Sequence, residues 1–124
     1  MKSNLKVPLV YVAGPYRAKT TYEIHCNIHD AREWGASLAE LGVYPVIPHS
    51  NTAHFDGLAD DEFWLAGTLC LLERCDAVLL MPRWADSKGA TAEAEAARFL
   101  HKPIFDAAKE DGPLEPWIDS LRRT

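Results

Sequence analysis

The chain has 124 residues and a mass of 13.8 kDa, the usual size of one domain, and 48% of it is apolar against 25% charged. That balance belongs to a soluble globular protein long enough to close a core without metal or disulfide staples. Its 13 Lys and Arg against 18 Asp and Glu leave a net charge of −5. This argues against a general DNA- or RNA-binding surface, because phosphate neutralisation needs clustered cations, but it leaves room for a small anionic ligand in a local pocket.

Residues 1–6 (MKSNLK) lack the apolar run of a signal peptide. Residues 5–13 (LKVPLVYVA) form a short apolar run stopped by Gly14 and Pro15, the pattern of a buried strand. Ile24, Ile28, Ala31, Gly35, Leu38 and Leu41 then recur at helical spacing, and Gly42 supplies a stop. Residues 43–47 (VYPVI) predict a second strand, at a sheet edge because Pro45 cannot donate to a ladder. Residues 48–61 predict a long irregular stretch, 62–74 a helix, 76–81 (DAVLLM) a third and wholly apolar strand, and 82–88 a loop. An Ala-rich helix over 89–101 and a short strand over 102–105 follow. Residues 113–122 predict a last helix docked by Leu114, Trp117, Ile118 and Leu121. No run of about 18 apolar residues occurs, so no membrane span is expected. Cys26, Cys70 and Cys75 lack CxxC spacing and read as buried free thiols of a cytoplasmic protein.

Alternating strands and helices predict a single α/β domain over 1–124, a flavodoxin-like or Rossmann-like three-layer sandwich with right-handed crossovers. A parallel sheet of order 2-1-3-4 places the proline-bearing strand at the edge and the most apolar strands in the middle. The helix-to-strand returns are abrupt, whereas the strand-to-helix connections over 14–22, 48–61 and 82–88 are long. Ligands of open parallel sheets sit beyond the carboxyl ends of the strands, where strand order reverses. That point brings Gly14 and Arg17 beside Ser87, Lys88 and Gly89, a glycine-rich turn and a helix start suited to an anion. Glu93 lies about one turn into that helix and can lean back toward the rim. Glu95, roughly 200° around the helix, faces elsewhere. A carboxylate there also has a plain structural reading, as the complement of the helix dipole.

The segments VYVAGPY (10–16) and SKGATAEAEAA (87–97), with PHSNTAHFDG (48–57) between them, resemble the nucleoside 2-deoxyribosyltransferase-like superfamily. That group includes 2′-deoxynucleoside 5′-monophosphate N-hydrolases, pyrimidine nucleotide N-glycosidases and small phage-associated members. The resemblance spans about residues 7–105. It implies that Glu93 is the nucleophile at C1′ of the sugar, that Tyr11 orients it, and that Ser87 and Arg17 hold a 5′-phosphate. It also implies a homodimer or higher homo-oligomer, a nucleotide or nucleoside as partner, and no cofactor. One position departs from the pattern: Thr68 stands where relatives carry an aspartate, with Asp56, Asp60 and Asp61 as nearby substitutes.

Such a carboxylate would trap or stabilise an oxocarbenium-like sugar while a proton donor helps the base leave. His49, His54 and Asp56 on the long second connection are candidate donors or base contacts, and Trp84 is a candidate stacking surface. The rival reading is a non-catalytic nucleotide-binding module or phage accessory protein, favoured by Thr68. His25 and His29, spaced i, i+4, lack an obvious third ligand and read as solvated imidazoles rather than a metal pair. Trp34 and Trp64 read as core or subunit contacts.

Overall fold

A computed structural model describes residues 6–109 and 114–122. Strand β1 (Leu9–Ala13) leads into helix α1 (Thr21–Glu40), strand β2 (Tyr44–Val46), a single helical turn α2 (Pro48–Asn51) and helix α3 (Asp61–Glu73). Strand β3 (Ala77–Leu80), a 3-10 turn over Trp84–Asp86, helix α4 (Lys88–Phe99), strand β4 (Ile104–Asp106) and helix α5 (Leu114–Arg122) complete the order. All pairings are parallel and the sheet runs β2-β1-β3-β4, as the apolar pattern predicts.

Strand alternation divides the core into two halves. Val10, Val12, Ala77 and Leu79 point to one face, where Ala31 and Leu38 of α1 and Ile118 of α5 cover them. Tyr11, Ala13, Val78 and Leu80 point to the other, under Leu72 of α3 and Ala94 and Ala97 of α4. Each fully buried Val or Leu is worth about 1.5–3 kcal/mol relative to exposure, so the two central strands carry much of the fold. In α1 the buried stripe is Ile28, Ala31, Gly35 and Leu38. A Cβ at Gly35 would overlap the Ile47 side chain, so glycine there lets the helix sit close to β2.

The element ends differ from the sequence pattern for identifiable reasons. Strand β1 starts at Leu9, because Pro8 has no N–H and only its carbonyl joins the sheet, accepting from Tyr44. Strand β4 starts at Ile104 rather than 102, because the Lys102 N–H closes α4 on the Ala97 carbonyl and Pro103 cannot donate. Helix α1 begins at Thr21, ahead of its first apolar residue, under a capping box of Thr20 and Glu23. The 48–61 connection is not wholly irregular. Pro48 sits at the first position of α2, where a missing N–H costs nothing. The three thiols are free as expected, but Cys75 alone is buried; Cys26 is half-buried and Cys70 exposed. Among the described residues no helix is long and apolar enough to cross a membrane.

Candidate active site

Tyr11 is central in β1 and wholly buried, directed to the face that α3 and α4 cover. From α4, the helix that opens at the carboxyl rim of β3, Glu93 turns inward on the stripe it shares with Ala90, Ala94 and Ala97. These small side chains let the helix lie close to the sheet. The Tyr11 phenol donates to Glu93 Oε2 at 2.5 Å across 82 residues of chain. Glu93 is 8% exposed, while Glu95 faces solvent, so the helical arithmetic separates the two carboxylates correctly.

Burial lifts the Glu93 carboxyl to about 7, against the opposing pull of hydrogen bonding from Tyr11 and from Thr68. A hydroxyl donor such as Tyr11 favours the ionised form of a carboxyl. Its hydrogen bond acts in that direction, but desolvation outweighs it. The Tyr11 phenol is itself pushed far above its ordinary range, first by burial and then by the Glu93 charge. It therefore stays a neutral donor at any physiological pH, and Glu93 sits at the midpoint between its two forms near neutrality.

Ser87 caps α4, its hydroxyl oxygen accepting from Ala90 N at 3.1 Å, and Gly89 lies in the first turn. Gly14 ends β1 so close to Met81 that a Cβ would overlap the sulfur, which holds the turn after β1 against the turn after β3. Arg17 is already engaged. It donates to Asp61 at 2.5 Å and lies 3.9 Å from Asp56, and Asp56 accepts from the Tyr16 hydroxyl at 2.9 Å. His49 is buried and donates from Nε2 to the Pro15 carbonyl at 2.9 Å, leaving Nδ1 with no hydrogen-bond partner. Burial depresses its pKa, so the imidazole is neutral. Together these bonds clamp the Gly14–Arg17 turn to the connection before α3.

Two candidates have other attachments. The Trp84 indole N–H donates to Asp106 Oδ2 at 3.0 Å while its ring packs on the Tyr11 side of the core. His54 takes a left-handed backbone (φ 68°) and its ring lies tilted against that of His25, centroids 5.0 Å apart. No described contact joins either to Glu93. Tyr16 and Asp106 are rim residues that spacing alone does not reveal. Asp60 and Asp61 do have a legible signature, as the cap and first residue of a helix, and Asp60 indeed accepts from Phe63 N at 2.8 Å. None of Asp56, Asp60 or Asp61 bonds to Glu93. Thr68 of α3 donates its hydroxyl to the Leu65 carbonyl at 3.0 Å and favours the ionised forms of Glu93 and Tyr11. A cleft of about 410 Å³ opens on the opposite, α1 face, between Trp34, Asn27, Pro82 and Arg83, and does not include Glu93 or Tyr11.

Residues 8–106 match the family model described as "Domain of unknown function (DUF4406)". No curated protein matches the chain. Among solved structures, a 2-deoxyribosyltransferase from the psychrotolerant bacterium Bacillus psychrosaccharolyticus, characterised as a biocatalyst for nucleoside synthesis, superposes with a TM-score of 0.57 at 20% identity. The match covers 79% of this chain and 70% of that one. At that identity the likeness is one of fold, and it agrees with the 2-1-3-4 sheet order. With most of its length matched by the family model, the chain belongs to the DUF4406 family, on an α/β fold like that of this 2-deoxyribosyltransferase.

Proposed function

We propose that this chain is an N-glycosidase that cleaves the base–sugar bond of a (deoxy)nucleoside 5′-monophosphate, or carries out the related deoxyribosyl transfer, with Glu93 as nucleophile. The observation that carries the reading is the buried Glu93 carboxyl bound to a neutral Tyr11 phenol at 2.5 Å. Tyr11 occupies Oε2, so Oε1 is the oxygen left for C1′. As the C1′–N bond breaks, its electron pair leaves with the base, which takes up a proton, and the sugar carbon bonds to Glu93 as a glycosyl ester. Water then cleaves the ester and regenerates the carboxylate, or a second base accepts the sugar. This chemistry calls for no metal and no cofactor. Incubation of the full chain with a panel of nucleotides and nucleosides, with chromatographic detection of free base, tests the reading. Tight nucleotide binding without base release would favour a binding module, the alternative that Thr68 in place of an acid supports.

The phosphate falls to Arg17 and to the α4 start, where the Ser87 hydroxyl and the first-turn backbone N–H of Gly89 lie. His49, His54 and Asp56 serve the sugar or base, and Trp84 offers an aromatic edge at the same rim. Arg17 must exchange a carboxylate partner for the phosphate, so its net value lies at the low end for a charged hydrogen bond. Arg17→Ala is expected to weaken nucleotide binding by about 1.5 kcal/mol, roughly tenfold, and to leave binding of the matching nucleoside unchanged. Equal losses for both by calorimetry would remove the phosphate assignment.

Helix α3 (DEFWLAGTLCLLE) is apolar around most of its circumference, yet Leu72 is its one fully buried residue. A helix of that composition belongs under a partner. Phe63 is 60% exposed, beside the exposed Phe55 and Leu58. The chain is therefore expected to assemble as a homodimer or larger homo-oligomer through this aromatic ledge. The exposed Cys70 suits the reducing cytoplasm. A monomeric mass by light scattering at tens of micromolar would count against the assembly.

A further inference from the structure

Helix α1 has 20 residues and β1 has 5, about 30 Å against about 17 Å. The chain leaving α1 returns to the level of the first residue of β1, where Tyr44 pairs with Leu9, so the first half of α1 stands beyond the carboxyl rim of the sheet. The cleft of about 410 Å³ lies along this overhang, facing the turns after β1 and β3. Strand order reverses between those two strands, the usual seat of a ligand in an open parallel sheet. Arg83 is the unusual residue there. Pro82 and Arg83 are the central pair of a turn closed by the Trp84 N–H on the Met81 carbonyl at 3.1 Å, and Arg83 takes φ 68° and ψ 17°. In a proline-led turn that is the place of glycine, and an arginine in it is strained. Its guanidinium forms no ion pair or hydrogen bond among the described residues, whereas Arg17, which also lines the cleft, is held by Asp61 and Asp56. From α1 the cleft is lined by Trp34, half-buried against the core, and by the exposed Asp30 and Glu33, neither in an ion pair among the described residues.

We propose that this cleft takes the second half of a pyrophosphate-linked dinucleotide whose first half lies at Glu93. Arg17 is common to the two places and holds the phosphate nearer Glu93. Arg83 takes the other phosphate, which explains a free cation kept at a glycine position. Trp34 stacks on the second base, and Asp30 and Glu33 accept from its amino edge. The charges argue for such a ligand over a bare anion. Guanidinium groups come from the two rim turns and carboxylates from α1, so the cleft suits a molecule with phosphate on one side and hydrogen-bond donors on the other. Glu23, the remaining carboxylate of the lining, is already tied to Thr20 in the capping box. The volume falls within the roughly 300–1,000 Å³ of small-molecule sites. The bond broken at Glu93 is unchanged; what the cleft adds is a reason for the substrate to continue past its 5′-phosphate.

The proposal rests on the nucleotide reading of the Glu93 site, but its test does not need turnover. Calorimetry of the full chain carrying Glu93→Gln compares adenosine monophosphate with the pyrophosphate-linked dimer of adenosine. The dimer is expected to bind at least about tenfold tighter, the worth of one charge-assisted hydrogen bond. Arg83→Gly is expected to remove that advantage and to raise the urea midpoint, because glycine relieves the left-handed backbone; a residue kept only for the turn would show the second effect without the first. Trp34→Leu is expected to weaken the dimer about tenfold and the monophosphate hardly at all. Arg83→Gly, at an exposed position, carries the comparison if the tryptophan variant does not fold. A dimer bound no tighter than the monophosphate overturns the proposal, whether or not the parent chain releases base. So does tight dimer binding that survives Arg83→Gly. Tight, Arg83-dependent binding of the dimer by a parent chain that releases no base upholds the cleft and instead overturns the glycosidase reading.

Discussion

Glu93→Ala is expected to abolish base release, by about a thousandfold or more, in a chain that remains folded. A thousandfold loss corresponds to about 4 kcal/mol of transition-state stabilisation, a reasonable share for the group that both traps the sugar and balances its positive charge. The fold is expected to survive because Ala94, Ala97, Leu72 and the strand residues around Glu93 supply the packing, whereas a buried carboxyl contributes little to its own protein's stability. Glu95→Ala is the internal control. It removes a carboxylate from the same helix but from its solvent side, and most activity should remain. A 2′-fluoro substrate, which slows turnover by destabilising the oxocarbenium-like state, is expected to leave a sugar adduct on the peptide containing Glu93. Full activity in Glu93→Ala would refute the nucleophile assignment.

The parts of this site legible in the sequence are those governed by a period. Apolar runs and their stops set the strand order, and the proline in VYPVI placed β2 at the edge. A turn of helix after Gly89 directs Glu93 inward and Glu95 outward, and the family resemblance pairs Glu93 with Tyr11; the hydrogen bond between them agrees. The rest depends on how aperiodic loops meet. Arg17 and Asp61 are 44 residues apart, and Trp84 and Asp106 are 22 apart. No local pattern announces either contact. The ends of β1 and β4 were misplaced because a proline without a donor and a helix-closing N–H take precedence over hydrophobicity. The ionisation of Glu93 is not legible either, since Tyr11 and burial act in opposite directions and only the degree of burial decides between them.

The same opposition predicts a pH-dependent gain in stability from Glu93→Gln. In the unfolded chain the carboxyl titrates at about 4.3; folded, burial lifts it to about 7. Between those values the folded protein holds a proton that the unfolded chain has lost. Unfolding free energy therefore falls as pH rises through this window and is flat above it. A group with a raised folded pKa favours the fold fully below the unfolded value, and that advantage is gone once pH passes the folded value. Glutamine keeps an oxygen for the Tyr11 hydroxyl and carries no charge to desolvate. The full linkage amounts to about 4 kcal/mol, from 1.36 kcal/mol for each unit, and a buried amide N–H₂ without a partner returns about 1–2 kcal/mol of it. Glu93→Gln is thus expected to be about 2–3 kcal/mol more stable than the parent at pH 8, and about 1–2 kcal/mol less stable at pH 4. Urea denaturation of both chains at pH 4, 6 and 8 reads the difference, in which the other titrating groups cancel. A difference that stays constant across the three values would show that Glu93 folds with its ordinary pKa, and would remove burial as the force that brings this carboxyl to neutrality.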